Sequence, residues 1–222
     1  MNVSELRDAF RAQIDDLVAP YLVSDALFLD YLNEAESEAC IRAELLRDKS
    51  SAFCTIAVTS GTAVYDLDAT IFSIPHASIT NTGGQVTGLV STNDWYLDSI
   101  LQTDWRNESD VPRWFIYRDS AIELVPKPND DFTLNLECYR TPLAKMALDA
   151  DSPEINGTYH RYLLYWVMHR AYSVPDEDIY NPKKAEQNES EFTKVFGYRP
   201  TATMRKRQRM NTPHRNKLSF IG

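Results

Sequence analysis

Residues 111–142, VPRWFIYRDSAIELVPKPNDDFTLNLECYRTP, constrain the fold more than any other part of the chain. Apolar and polar residues alternate in RWFIYRD and in AIELV, and Asp119 and Ser120 separate the two runs. This spacing predicts a β-hairpin. In FTLNLECY every second residue is again apolar, which predicts a third strand with one buried face. The segment therefore indicates a half-buried antiparallel sheet.

Turn residues divide the rest of the β region. Pro126 and Pro128 cannot continue a central strand and predict a turn before FTLNLECY. Earlier in the chain, CTIAVTSGTAVYDL has strand character on both sides of Ser60-Gly61, and ATIFSIPHASIT and QVTGLV add further strands. Thr92 is a candidate N-cap for a short helix, NDWYLDSIL. The middle of the chain is therefore predicted to be mainly β.

Helical patterns precede this β region. Leu6, Phe10, Ile14 and Leu17 recur at steps of four or three, which predicts a first helix with one buried face that closes before Pro20. A longer second helix is predicted from the N-cap Ser24 to about Arg47. After Lys49-Ser50 the apolar period changes to two.

Helical patterns also follow the β region. Residues 156–173, NGTYHRYLLYWVMHRAYS, are dense in aromatic side chains and predict a heavily buried helix. The next helix is predicted to carry Pro182 in its first turn and to end near Gly197. The fold class is therefore predicted to be α+β, with N- and C-terminal helices packed together as a helical body. An inserted antiparallel lobe, sandwich-like or barrel-like, and an extended C-terminal tail complete the prediction.

Four segments follow from these patterns. The predicted N-terminal helices span residues 1–49, the β lobe 50–150, the C-terminal helices 151–197 and the basic tail 198–222. The chain has 222 residues, 43% of them hydrophobic, which is enough to bury a good core. No apolar run approaches the roughly 20 residues that span a bilayer, and the N-terminal pattern predicts no export signal. A soluble protein without membrane contact is predicted.

The three cysteines, Cys40, Cys54 and Cys138, are far apart and do not have the spacing of a metal or redox motif. They are predicted to be small buried side chains in a reducing compartment. His160 and His169 lie nine residues apart, which is not a zinc-ligand spacing, and are predicted to be packed or surface residues. The pairs Asp15-Asp16 and Asp130-Asp131 are interpreted as solvated carboxylates. No catalytic, cofactor-binding or metal-binding residue is predicted, so the chain is not expected to be an enzyme.

Charge is distributed unevenly along the chain. The net charge is −9, from 23 basic and 32 acidic residues. Residues 199–222 contain seven of the basic residues and no acidic residue, which leaves 16 basic against 32 acidic residues, or −16, in the preceding body. The body is expected to repel a nucleic-acid backbone, and the tail is expected to attract polyanions.

Four tryptophans, Trp95, Trp105, Trp114 and Trp166, are compatible with a sugar-binding platform, but core packing and subunit interfaces are the favoured interpretation. Trp105 and Arg106 lie in the polar stretch QTDWRNESD and are predicted to be exposed. This loop is a candidate docking surface for the next protein of an assembly.

The ordered series LDYLNEAESEA, VTSGTAVYDLD, PRWFIYRD, LNLECYRTPL, YHRYLLYWVMHRAYS and DEDIYNPKKAEQNESEF resembles the head-to-tail adaptor (connector) proteins of tailed bacteriophages. The resemblance covers about residues 24–197. It implies a homo-oligomeric ring, commonly a dodecamer, that binds the portal protein, extends the DNA channel and docks a tail or nozzle protein. It also implies a structural protein of the virion neck that is assembled in the host cytoplasm and needs no cofactor. Genomic DNA would pass through without sequence-specific binding.

Alternatives remain open at this point. A related neck or tail-completion protein would share the fold but stay monomeric until a partner is present. A phage hydrolase or carbohydrate-binding module would need a cleft with paired carboxylates or a metal triad, and the sequence contains no recognisable motif for either. The acidic body suits the wall of a DNA channel, or it is simply a solvated surface.

The tail has three interpretations: docking to the portal, free disorder, or direct DNA binding. It can extend at most roughly 80 Å at about 3.3 Å per residue, and its apolar end can add as a strand to a partner's sheet. In view of the resemblance, portal docking is the favoured hypothesis. Its predicted contact residues are Arg199, Arg205, Lys206, Arg207, Arg209, Arg215, Lys217, Leu218, Phe220 and Ile221.

Overall fold

The computed structural model describes residues 1–101, 104–175, 178–201 and 204. It has an α+β fold, with five helices and a curled mixed sheet that forms a half-barrel. The chain divides into two compact units. The helical unit consists of residues 1–47 and 139–200, and the β unit contains residues 48–138.

The helices are α1 (Val3–Ile14), α2 (Asp25–Ala43), α3 (Asp94–Ile100), α4 (Leu163–Ser173) and α5 (Pro182–Phe196). Helix α1 begins with a capping box between Asn2 and Glu5 and ends before Asp15, whose φ is 60°. The prediction that Leu17 belongs to the buried face of this helix is wrong. The left-handed residue turns the chain away, and Leu17 is exposed.

Helix α2 begins as predicted. Ser24 is its N-cap, with Oγ accepting from the Leu27 amide at 3.3 Å. It ends at Ala43 rather than near Arg47, because Glu44 has a φ of 51°. The prediction for α5 is also confirmed, with Pro182 in its first turn and Gly197, φ 82°, at its C-cap.

The core of the helical unit is centred on α4, which packs against α2 and α5. Its buried residues include Leu163, Trp166 and Val167, which confirms a heavily buried helix. The helix begins at Leu163 rather than at residue 156, because His160–Tyr162 form a 3-10 turn. Phe192 of α5 is fully buried, with its ring centroid 5.1 Å from that of Trp166 and 4.6 Å from that of Phe196. Aromatic packing therefore joins α4 to α5.

The strands are β1 (Arg47–Asp48), β2 (Thr55–Val58), β3 (Val64–Asp66), β4 (Ile71–Asn81), β5 (Val86–Ser91), β6 (Ser109–Asp110), β7 (Trp114–Tyr117), β8 (Ala121–Val125), β9 (Lys127–Pro128) and β10 (Phe132–Arg140). The main sheet has the order β1-β10-β4-β5-β7-β8-β3, and β2 also pairs with β10. The predicted hairpin is confirmed as β7 and β8, with Trp114 opposite Val125. Alternation in β10 is also confirmed, because Phe132, Leu134, Leu136 and Cys138 are buried.

The sheet departs from the prediction in two ways. It is mixed rather than antiparallel, because β5 pairs in parallel with β7; β6 and β9 form a separate two-stranded parallel sheet. Parallel neighbours need a crossover connection, and residues 92–113, which include α3, supply it between β5 and β7. It also forms one curled half-barrel, whereas a sandwich was one of the two predicted shapes. The turn predicted at Pro126 and Pro128 contains the two-residue strand β9.

The three cysteines are buried as predicted, and Cys54 Sγ lies 3.8 Å from Cys138 Sγ in the core of the β unit. Among the described residues, none of the helices is long and apolar enough to cross a membrane.

Candidate docking surface

Helix α3 is positioned by its cap and by one apolar residue. Asn93 is the N-cap, with Oδ1 accepting from the Tyr96 amide at 2.9 Å. Thr92, the predicted N-cap, is instead buried, and its amide donates to the Phe115 carbonyl at 2.9 Å, which extends the pairing of β5 with β7. Leu97 anchors the helix in a small apolar cluster with Trp105, Ile116, Val125 and their neighbours.

Trp105 belongs to the interior of this cluster. Its exposed fraction is 2%, so the prediction that it lies exposed in a polar loop is wrong. The indole Nε1 donates to Asp98 Oδ1 at 2.8 Å, which satisfies its polar group while the ring stays buried. The polar neighbours of Trp105 in the sequence gave no sign of this arrangement, because the partner of the indole, Asp98, lies on the preceding helix α3.

Arg106, next to Trp105, is half-exposed and held by α3. Its guanidinium donates to both carboxylate oxygens of Asp98, at 2.9 and 3.3 Å, and lies over the Trp105 ring at 4.2 Å from the centroid. The hydrogen bond from Arg106 lowers the pKa of Asp98, with Trp105 as the second contributor. The structure thus joins the two predicted docking residues through one aspartate.

A second arginine fixes the start of the same helix. Arg118 donates to both oxygens of Asp94, at 2.5 and 2.6 Å, and also binds Glu123 at 2.8 Å. The hydrogen bonds from Arg118 lower the pKa of Asp94. Both aspartates of α3 are therefore ionised at neutral pH and occupied by arginines, which makes them a rigid charged framework.

Trp95 is the exposed aromatic residue of this region, with an exposed fraction of 68%. It lies two residues before Leu97, so the helical period places it on the opposite side of α3 from the buried cluster. That period is a signal in the sequence that could have distinguished Trp95 from Trp105. We call Trp95, Arg106 and the two aspartates Asp94 and Asp98 the α3 surface. One exposed aromatic ring and fixed charges make this surface a candidate for protein recognition.

His160 and His169 both have structural partners, in agreement with their interpretation as packed or surface residues. His160 is buried, with Nε2 2.9 Å from the Ile155 carbonyl, and His169 Nδ1 lies 2.9 Å from the Ala185 carbonyl. Within the described ranges, His, Cys, Asp and Glu form no cluster that could hold a metal ion.

Of the residues predicted to bind the portal, the structure describes Arg199. Its guanidinium is exposed and lies 3.5 Å from Glu38 Oε2, next to the Glu38–Arg42 ion pair. The others lie outside the described residues: Arg205, Lys206, Arg207, Arg209, Arg215, Lys217, Leu218, Phe220 and Ile221.

An α+β chain with a helical unit and a curled sheet that carries the α3 surface is compatible with a structural adaptor. The chain belongs to the SU10 adaptor protein family, whose model matches residues 1–217. No curated protein matches the sequence. Membership confirms the resemblance to bacteriophage head-to-tail adaptors and implies a virion neck component that interacts with portal and tail components.

Proposed function

We propose that this protein is the head-to-tail adaptor subunit that assembles as a ring on the portal, extends the DNA channel and docks the tail or nozzle. The observation that carries this proposal is the family match over residues 1–217. The body charge of −16 supports a channel role, because a like-charged wall avoids tight phosphate contacts with passing DNA.

Two separate regions serve the two partners in this proposal. The basic tail from Arg199 onward docks to the portal, and its charge supports binding to an acidic surface. The α3 surface docks the tail-side protein, with exposed Trp95 as the anchor and Arg106 as the polar contact. Trp105 does not contact the partner; its ring packs against the Arg106 guanidinium and holds it in position.

The first experiment measures the mass of the full chain, alone and with the portal, and compares it with a chain truncated after Met204. The truncation removes six basic residues and keeps α5. We expect the full chain to form a multi-subunit complex with the portal. The affinity of the truncated chain for the portal should be lower by at least about tenfold. The matched control is Lys183→Ser with Lys184→Ser, which removes exposed charges from α5 and leaves the tail intact.

Salt provides a second readout. Docking by the charged tail should weaken as ionic strength rises beyond physiological values. A full chain that stays monomeric with and without the portal would exclude the adaptor proposal. Equal binding by the truncated chain would exclude the tail as the portal contact.

The tail-side surface is tested with Trp95→Ala. Assembled adaptor and portal complexes should lose about tenfold in affinity for the tail-side protein, because an exposed aromatic anchor is removed. Tyr180→Ala is the matched control, since Tyr180 is a similarly exposed aromatic residue outside the α3 surface. Equal losses in the two variants would refute the assignment.

A further inference from the structure

The helical unit exposes seven large apolar side chains on two short segments. One lies between α1 and the first turn of α2, and the other follows β10. Val18 has an exposed fraction of 79% and Leu148 one of 67%. We call the whole set the apolar surface: Leu17, Val18, Tyr21, Leu22, Leu27, Leu143 and Leu148.

The first segment is held in one conformation by a buried carboxylate. Asp16 is 4% exposed, and its two oxygens both accept from the Leu22 amide at 3.1 Å. Val23, the next residue, is buried in the helical core and ties the segment down. The Arg11 guanidinium lies over the Tyr21 ring, 3.1 Å from its centroid. Apolar side chains are therefore presented outward by a segment that is itself fixed.

The second segment is fixed in the same way by side chains of the helical unit. Asn33 of α2 accepts from the Met146 amide at 2.8 Å and donates to the Met146 carbonyl at 3.0 Å. Asp151 accepts from the Leu148 amide at 2.8 Å, and Glu154 accepts from the Leu143 amide at 3.1 Å. Leu143 and Leu148 are thus preorganised in the exposed position.

Arg7 of α1 joins the two segments. It donates to Asp149, the residue after Leu148, at 2.8 Å, and it lies 3.6 Å from Asp25, two residues before Leu27. Leu148 and Leu27 therefore belong to one neighbourhood of the helical unit. Asp15 and Asp30 are exposed beside the first segment, and Lys145 is exposed within the second. An apolar area with a charged rim is typical of a protein interface.

We propose that the apolar surface packs against a neighbouring copy of this chain; this inference rests on the proposed ring. Seven side chains that each expose on the order of 100 Å² supply most of the roughly 800 Å² that one partner gives to a standard-size interface. Contacts between identical subunits that never separate are more apolar than contacts made later in assembly. The apolar surface fits the first class, and the charged α3 surface fits the second.

In a ring, this contact is heterologous: the apolar surface of one copy meets a different surface of the next copy. One substitution per subunit therefore removes one side of every contact. Val18→Arg and Leu148→Arg should each prevent multi-subunit assembly with the portal at concentrations about tenfold above those at which the wild type assembles. Because both side chains are largely exposed, both variants should keep the wild-type circular dichroism spectrum.

Val86→Arg is the matched control. Val86 is 64% exposed in the β unit, so the substitution is chemically identical and lies outside the apolar surface. It should assemble like the wild type. Normal assembly of both Val18→Arg and Leu148→Arg while the wild type forms its complex would overturn the inference and leave the adaptor proposal standing. A wild type that never assembles would instead remove the adaptor proposal.

Cross-linking identifies the occupant directly. The native cysteines are buried, so Val18→Cys provides an accessible thiol for a maleimide and succinimide cross-linker. Complexes with the portal are assembled from light and heavy isotopic copies of this variant. Cross-linked peptides that join light to heavy copies support the inference. Cross-links to portal peptides, or to the same copy alone, overturn it.

Discussion

The helical unit and the β unit fill their interiors with different kinds of side chain. Among the described residues, eight polar or charged side chains are buried, and six of them belong to the helical unit: Arg11, Asp16, Glu36, Glu38, Arg140 and His160. The main core cluster of the β unit consists of aliphatic and aromatic residues with Cys54 and Cys138. The comparison teaches that the helical unit depends on specific polar partners as well as on apolar packing, because a buried charge without its partner is costly.

The largest expected effect tests the apolar part of the helical unit. Phe192→Ala removes a fully buried ring that contacts Trp166 and Phe196. The free energy of unfolding should fall by about 3–5 kcal/mol in denaturant titrations. Val86→Ala, at an exposed position of the β unit, should change it by less than about 0.5 kcal/mol. A small effect of Phe192→Ala would contradict the importance of this aromatic packing for stability.

The second prediction tests a buried ion pair. Arg42 donates to Glu38 at 2.8 Å, and both side chains are at least 94% buried; Arg42 also donates to Thr193 Oγ1 at 2.9 Å. Arg42→Ala leaves Glu38 without its principal partner and should cost about 3 kcal/mol of unfolding free energy. Lys194→Ala breaks an exposed pair with Glu191 on α5 and should cost less than about 1 kcal/mol.

A double variant sharpens this result. Replacing both Arg42 with Met and Glu38 with Leu should recover most of the lost stability, because no buried charge remains. Failure to recover it would mean that the other contacts of Arg42 carry the effect.

The third prediction concerns the segment that Asp16 fixes. Asp16→Ala leaves the buried Val23 amide and the Leu22 amide without their acceptor and should cost about 1–3 kcal/mol in chemical unfolding. Asp8→Ala, at an exposed position of α1, should be within about 0.5 kcal/mol of the wild type. Similar values for the two variants would contradict a fixed segment.

The smallest effect is a pH dependence. Burial raises the pKa of Glu36. The hydrogen bonds that its carboxylate accepts from the Ile155 and Glu154 amides lower the pKa and offset part of this rise. Because the folded pKa lies above the unfolded value, the folded state holds the proton more tightly. The contribution of Glu36 to stability therefore falls as pH rises between the two values. Glu36→Gln should remove this fall, so its stability relative to the wild type should increase with pH across that window in urea titrations. Parallel curves for the two proteins would contradict the prediction.

Local patterns predicted the elements whose structure depends on nearby residues. The β7–β8 hairpin, the alternation of β10, the Ser24 cap and the buried aromatic helix α4 all follow from short spacings. The prediction that Leu17 is buried was wrong. The apolar periodicity of the sequence continues past Asp15, but Asp15 is left-handed and ends the helix. Asp16 then became a buried acceptor rather than the solvated carboxylate that was predicted. Pro20 indicated that the first helix ends before it, but it did not indicate that the helix ends as early as Ile14.

Long-range partners explain the other differences. Trp105 is buried because Asp98 accepts a hydrogen bond from its indole N–H and its ring packs in the apolar cluster with Leu97 of α3, and a polar sequence context does not reveal either contact. The parallel pairing of β5 with β7 depends on the path of the intervening crossover, which no hairpin signal describes. Of the two residues predicted for the docking loop, Arg106 is half-exposed and Trp105 is buried, while Trp95 is an exposed tryptophan of the same region.

The distribution of tryptophans makes the two units optically distinguishable. Trp166 belongs to the helical unit, where its ring packs in a tilted orientation against His169 and Phe192, whereas Trp95, Trp105 and Trp114 belong to the β unit. In a chain with Trp166 replaced by phenylalanine, all tryptophan emission would come from the β unit. The difference between its fluorescence and that of the natural chain is the emission of Trp166 in the helical core. The unfolding of each unit can therefore be followed by its own tryptophan fluorescence.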